Sequence, residues 1–399
     1  INTFNYSGGL SYIKNKIITG ISYREFKTDY GIPGGFIGAH PFGVNIAMKK
    51  KQINFKLKYD VGSKYLENIE AEFSRVNYNH KEFEKSGLIG AEFGITNYSA
   101  DILFNHKTSG KIKSGIAGIS FNHRDFDIGG FVFTTPAKSL NLSAFVYENI
   151  VINDKLSVEL SVRYNYDEIN PRDKNYNSSI GYITNKIYNT LSAGASAVYR
   201  IFRNHYAGIN LVRSTRVPTI EELYSEGPHL AAYSYEIGNP NLKSELAYGG
   251  ELFTYYRSEN LYVMISGYYN DFPNFIIPRN TGKINYATLL PIYATEGVPA
   301  ILTGFETQLE FKPFKFLQLD LNASYTYGKF NQTGTPLPAI PPFKIISSLS
   351  YKRNNFLFGV INESASKQLR LDTFEESTDG YSIFGLFSQY ILRTGKLIH

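Results

Sequence analysis

Cysteine and tryptophan are both missing from this chain of 399 residues, and methionine occurs only twice. Without cysteine there is no disulfide framework, no thiolate metal site and no thiol nucleophile. No apolar run approaches the roughly 20 residues that a membrane-crossing helix needs. Strands remain possible, because a spanning strand takes about ten residues and only every second one must face lipid. The usual enzymatic constellations are missing too: no nucleophile elbow, no H-E-x-x-H, no phosphate-cradling G-x-x-x-x-G-K. An enzyme is not expected, nor a resident cofactor or metal. The first residues, INTFNYSGGL, contain no initiator methionine, basic segment or apolar core, so they are not a signal peptide, and the chain is expected to be mature or truncated.

What is abundant is tyrosine and phenylalanine, 32 and 29 residues. Rings with one wet and one apolar edge suit a bilayer interface. Period-2 alternation is clean in 53–61, 156–166 and 317–327. In the second of these Leu156, Val158, Leu160, Val162, Tyr164 and Tyr166 alternate with Ser157, Glu159, Ser161, Arg163 and Asn165. Such segments predict strands with one apolar and one polar face. Around Arg75-Val76 the pattern slips by one residue, which predicts a β-bulge there.

Short turns at 14–16, 62–67, 108–110, 153–155, 202–205, 257–260, 312–315, 352–355 and 393–396 alternate with longer connections near 27–50, 80–90, 126–138, 169–186, 215–245, 273–300, 330–342 and 367–379. Short on one side and long on the other is the pattern of an outer-membrane barrel. The expected fold is all-β: one transmembrane antiparallel barrel domain over 1–399, of about 17 strands. Val158, Leu160 and Val162 should face lipid, and Glu159, Ser161 and Arg163 the lumen. The net charge of +6 fits an anionic lipopolysaccharide surface or cargo, or simply a lysine-rich composition. Nucleic acid is not among the expected partners, and a monomer is expected.

The stretch 214–245, STRVPTIEELYSEGPHLAAYSYEIGNPNLKSE, carries the most information. Pro218 fixes its own φ and pushes Val217 away from helix, so a strand should stop there. Gly238-Asn239-Pro240 is a turn former, read here as tolerating positive φ, that should return the chain to a strand near Leu246. A loop of roughly thirty residues between them tends to be functional. Arg216, Pro218 and Thr219 followed by Glu222, Leu223 and Tyr224 resemble the R-A-P-T-x-x-E-L-Y signature of TonB-dependent outer-membrane receptors. Gly238, Asn239, Pro240 and Leu242 followed by Glu245 resemble the G-N-P-x-L-x-P-E signature that follows it. Val217 stands where alanine is usual, and Ser244 where proline is usual. Weaker likenesses to the subgroup of zinc, heme and siderophore receptors run in order along the chain: 30–34 (YGIPG), 78–82 (YNHKE), 227–231 (GPHLA), 338–342 (PAIPP) and 378–381 (TDGY).

The resemblance implies a barrel of about 22 strands, of which about five are not in this sequence. It also implies a plug domain and a TonB-contacting segment that this sequence does not show. The implied function is energised import of a ferric siderophore, heme, cobalamin or metal chelate across the outer membrane of a Gram-negative bacterium. A passive porin-like channel and a surface adhesin are the alternatives. Expected cargo contacts are Tyr30, His40, His80, Tyr224, His229, Tyr233 and Tyr235. Imidazole ligates transition metals and heme iron, and aromatic faces hold flat rings. A lone loop histidine is more often merely solvated. The zinc receptors' His/Asp-rich insertion is not matched, since 34–44 holds one histidine and no acid. With an open seam between the first and last strands, the chain alone is expected neither to insert stably nor to transport.

Overall fold

The computed structural model describes residues 1–34, 42–130, 133–229 and 232–392. The strands in chain order are β1 (Asn2–Lys14), β2 (Ile17–Ile32), β3 (Val44–Asp60), β4 (Leu66–Glu84), β5 (Ile89–His106), β6 (Ile112–Gly130), β7 (Ala137–Asn153), β8 (Leu156–Pro171), β9 (Asn175–Ser178), β10 (Gly181–Ile183), β11 (Lys186–Phe202) and β12 (His205–Arg216). A five-residue helix, α1 (Ile220–Tyr224), follows. Then come β13 (Glu226–His229), β14 (Ser234–Ile237), β15 (Glu245–Arg257), β16 (Leu261–Asn285), β17 (Leu290–Phe314), β18 (Leu317–Phe330), β19 (Lys344–Arg353), β20 (Phe356–Ala365) and β21 (Tyr381–Tyr390).

One 19-stranded sheet holds all but β9 and β10, which pair with each other. Two of its members, β13 and β14, are four-residue strands inside a loop. Setting them aside leaves the seventeen long strands that the alternation predicts, each antiparallel to the next. Strict alternation puts the tight connections at 15–16, 154–155, 203–204 and 258–260 on one rim. The connections at 33–43, 217–244 and 331–343 lie on the other, here called the upper rim, as the sequence predicts.

The two faces of the sheet differ as expected. Leu142, Val146, Leu160, Val162, Leu191, Leu211 and Leu252 share one face and are all exposed. Only a hydrocarbon solvent makes such a belt favourable, since water would penalise that much apolar surface. On the opposite face of β8, Arg163 donates to Ser143 at 2.5 Å and to Asn165 at 2.9 Å, and Asn149 donates to Glu159 at 3.4 Å. Those polar groups therefore line the lumen.

Two expectations need correction. No bulge occurs at Arg75-Val76: β4 stays in register there with both neighbours, and its irregularities fall at Leu66/Asn68 and Glu82/Phe83. The slip in pattern marks where the outer face leaves the apolar band. Above Phe73 that face carries Arg75, Asn77, Asn79 and Lys81, which need no apolar character in water. The expected connection near 273–300 is mostly strand instead, because β16 and β17 run for 25 residues each. A crossing needs about ten, so the remainder stands above the membrane as a hairpin, held by pairs such as Arg279 with Glu296 at 2.9 Å. Likewise β2, β3, β4 and β5 extend well into the stretches read as loops near 27–50 and 80–90.

Among the described residues, β1 pairs only with β2 and β21 only with β20. The seam between them is open, as expected. The buried core does not run through the barrel. It lies just inside the upper rim, where the long connections fold back on the inner wall.

Candidate functional site

The upper mouth is shaped by the connection 217–244. Pro218, which lacks an N–H, lies two residues beyond the end of β12, and Thr219 then begins α1 in extended conformation (φ −76°, ψ 169°). The Thr219 hydroxyl accepts from the Glu222 amide at 3.2 Å, and the Glu222 carboxylate accepts from the Thr219 amide at 2.8 Å. This reciprocal cap satisfies two amides that a helix start leaves unpaired. The same carboxylate takes a hydrogen bond from Arg216 at 2.8 Å. Arg216 also grips both oxygens of Glu245, at 3.2 and 3.1 Å. Glu245 in turn accepts from the Ile276 amide at 2.9 Å. The planar guanidinium suits this forked recognition. It clasps the loop where it leaves β12, at its helix and where it re-enters β15.

Ile220, Leu223 and Tyr224 point from α1 into the core with Phe126, Ala137, Ile169, Ile183 and Leu242. Tyr224 is 1% exposed and donates to the Thr184 carbonyl at 2.7 Å. Burial raises its pKa, so the phenol stays neutral. From this position Tyr224 anchors the loop and has no surface to present to the opening. On the return path Gly238 donates to Ser225 at 2.7 Å, Asn239 donates to the Glu222 carbonyl at 2.8 Å, and Tyr188 donates to the Leu242 carbonyl at 3.0 Å. Neither Gly238 nor Asn239 has positive φ, contrary to the turn argument. Glycine is required for a different reason: a Cβ there would lie 2.7 Å from backbone atoms of Leu223, Tyr224 and Ser225. Pro240 is fully buried. The two sequence signatures thus encode one clasp.

Beyond α1 the loop forms the hairpin β13–β14. The Glu226 amide donates to the Phe133 carbonyl at 2.8 Å, and its carboxylate accepts from Ser178 at 2.7 Å. On the other side β14 adds parallel to β17, with Tyr235 opposite Ile292 and Ile237 opposite Ala294. The hairpin therefore spans from the β6–β7 connection to the projecting β16–β17 pair. His229 sits at its end, stacked on Phe133 with centroids 4.4 Å apart and planes 6° apart. Its Nδ1 is 2.7 Å from Glu236. That hydrogen bond raises the His229 pKa against the opposing effect of burial, and Glu221 and Glu82 add to it through the field.

Glu82 belongs to the inner face of β4, with Tyr78 and His80. The Tyr78 hydroxyl is 3.1 Å from His80 Nδ1, and the Phe93 ring packs 5.4 Å from the imidazole. His80 Nε2 lies 3.2 Å from Glu82 but off the hydrogen-bond direction, so that buried nitrogen keeps an unused valence. Tyr30, also on the inner face, is within electrostatic range of Tyr78. His80 thus lies beside Glu82, which is also within electrostatic range of His229, while Tyr30 is within that range of Tyr78. Tyr235 lies on the same hairpin as His229, and Tyr233, 43% exposed with φ 51°, occupies its tip. His40 is outside the described residues. His123 lies within β6. Among the described residues no three acidic or imidazole groups converge as a metal cage. Phe133, Tyr78, Glu82 and Glu236 were not expected as site residues. The period-2 spacing of Tyr78, His80 and Glu82 was the legible sign for two of them.

The opposite side of the mouth is closed by Leu337 and Ile340 packed on Ala300, Phe330 and Phe275. Arg279 lies 4.4 Å over Phe330, and Arg370 3.8 Å over Tyr327.

The family model described as "TonB dependent receptor-like, beta-barrel" matches residues 2–395. Among curated proteins, the "Hemoglobin-binding protein A" of Haemophilus influenzae is 24% identical over 282 residues, which are 57% of this chain and 27% of that protein. Among solved structures, "Copper transporter OprC" superposes with a TM-score of 0.84 at 13% identity, over 97% of this chain and 65% of its own. The siderophore receptor PirA of Acinetobacter baumannii gives 0.74 at 14% identity, over 97% and 64%. The chain thus spans about a quarter of the curated relative and just under two thirds of these structures. At such identities the structures speak for the fold.

Proposed function

The chain belongs to the TonB-dependent receptor family, and on that footing we propose that it is the barrel of an outer-membrane importer of a large iron- or metal-bearing nutrient. The cargo class is a ferric siderophore, heme or a comparable metal chelate. The names of the similar proteins, which speak of hemoglobin, siderophore and copper, support that range. Uptake is energised by TonB acting through a plug segment, in the outer membrane of a Gram-negative bacterium.

The observation that carries the reading is the imidazole and aromatic lining at the inner edge of the upper mouth, where His229 stacks on Phe133 and His80 lies beside Phe93 and Glu82. Phe133, Phe93 and Tyr30 provide flat apolar faces for a planar cargo. The carboxylate of Glu82, 3.2 Å from His80 Nε2, supplies the acidic group of this lining. Tyr233, exposed at the hairpin tip, is the proposed first contact, with Tyr235 and His40 as further candidates. The barrel supplies binding and a wall, and no bond chemistry.

Complementation tests the reading. A receptor-deficient, iron-limited host carrying the full-length gene that encodes this barrel is offered heme, catecholate and hydroxamate chelates in parallel, with and without active TonB. TonB-dependent growth on at least one cargo is expected, with His229→Ala and His80→Ala each raising the concentration needed about tenfold. Growth that persists without TonB, or no growth on any cargo, would overturn it.

A further inference from the structure

The outer wall carries a second constellation, unrelated to the mouth. On β2 and β3, Lys27 pairs with Lys49, Glu25 with Lys51, Tyr23 with Ile53 and Ile21 with Phe55. On β3 and β4, Lys49 pairs with Asn79, Lys51 with Asn77, Ile53 with Arg75 and Phe55 with Phe73. Paired residues and those two apart share a face. All these side chains are therefore on the lipid side, in rows that climb towards the upper rim. The lowest row, Ile21, Phe55 and Phe73, is exposed and apolar. Aromatic and mixed residues follow, with the Arg75 guanidinium 5.5 Å over the Tyr98 ring. Above them stand Lys51, then Lys27 and Lys49.

This group is held in place. Glu25 has its side chain only 7% exposed although it is on the outer wall. It accepts from the hydroxyls of Tyr6 at 2.9 Å and Tyr23 at 2.7 Å, and lies 3.1 Å from Lys27 and 3.6 Å from Lys49. The two lysines lean on a common carboxylate, with both side chains nearly half exposed. Lys51 is not among those four partners. Lys81 is matched by Glu92 at 3.1 Å, and Asp29 is the remaining acid of this face. Four cations thus stand directly above an apolar belt, in excess over the acids among them.

We propose that the outer face of β2, β3 and β4 at Lys27, Lys49, Lys51 and Arg75 binds the phosphate groups of an outer-leaflet glycolipid. Its acyl chains would lie on Ile21, Phe55 and Phe73 below. Height selects the lipid headgroup over free phosphate, because the cations begin where the apolar rows end.

Native mass spectrometry of the protein purified from cells in mild detergent reads the site, with bisphosphorylated lipid A as probe. Each lysine near an anionic surface contributes about fivefold in binding. Lys51→Gln leaves the Glu25 group intact and should reduce retention roughly fivefold. Lys49→Gln with Lys51→Gln should reduce it roughly 25-fold. Lys50→Gln removes the same charge between them but on the lumen side, and should retain lipid as the wild type does. Lipid A stripped of both phosphates should bind the wild type as weakly as the double variant binds the intact lipid. Equal loss with Lys50→Gln would reduce the effect to net charge and overturn the site. So would unchanged retention by Lys51→Gln, and displacement of the lipid by equimolar inorganic phosphate would overturn the lipid assignment.

Discussion

Single residues in this protein earn their places by geometry more than by reactivity. Gly238 is the sharpest case, since what an added methyl meets is backbone, which cannot turn aside. Gly238→Ala should cost about 1–3 kcal/mol through overpacking. The readout is the midpoint of the heat-modifiable mobility shift; an unchanged midpoint would show that the return strand can move away. His229 behaves differently, because its charge matters. Its pKa is raised by Glu236, so the protonated pair stabilises the hairpin fully below the unfolded value of about 6.5 and is lost as pH rises through the higher folded value. Amides of β13 and β14 should exchange more slowly, after correction for intrinsic rates, at pH 5.5 than at pH 8.5. His229→Gln should abolish that difference, and equal protection of the native protein at both pH values would refute the link.

Elements show where sequence reading succeeds and where it stops. The long strands were legible because lipid on one side and water on the other impose period two on every crossing. The count and the sidedness follow from that alone. Ends of strands were not, because above the bilayer both faces are wet and the period loses its cause, as Arg75 and Asn77 on β4 and the 273–300 hairpin show. The motif 216–245 was legible as a signature, but its physical content was not. No spacing rule says that Arg216 spans Glu222 and Glu245, or that Tyr224 turns inward while His229 meets Phe133. Those depend on how a loop folds against a distant wall. The clasp makes a prediction for the element as a whole. Arg216→Met keeps the apolar stem and leaves two carboxylates facing each other. A buried pair broken on one side costs about 3–5 kcal/mol, but Arg216 is 40% exposed, so about 2 kcal/mol is expected after allowing for solvent screening. Proteolysis within 217–244 should accelerate while the barrel strands stay protected; an unchanged cleavage rate would count against the clasp.

At the scale of the whole molecule the outer belt and the lumen wall are two different solvents for one chain. Neighbouring positions on β8 sample both. Leu160→Arg places a charge in hydrocarbon and should cost about 2–4 kcal/mol. Ser161→Arg places it in the lumen and should stay within about 0.5 kcal/mol. Folding titrations in lipid vesicles compare the two, and equal costs would contradict the assignment of faces.

The way the 217–244 loop is fastened also has a kinematic consequence. At its base it is tied by Arg216 to both β12 and β15, with α1 sunk in the core. At its far edge it holds to β17 through a parallel run of only three paired positions. A body fixed firmly along one side and lightly along the other has a single easy motion, which is to peel from the weak side and rotate about the strong one. The hairpin with His229 is therefore built as a flap, with its hinge line at the barrel wall and its free margin at the β16–β17 projection. Such a rotation would part β14 from β17 first, while β13 keeps its bond to the Phe133 carbonyl.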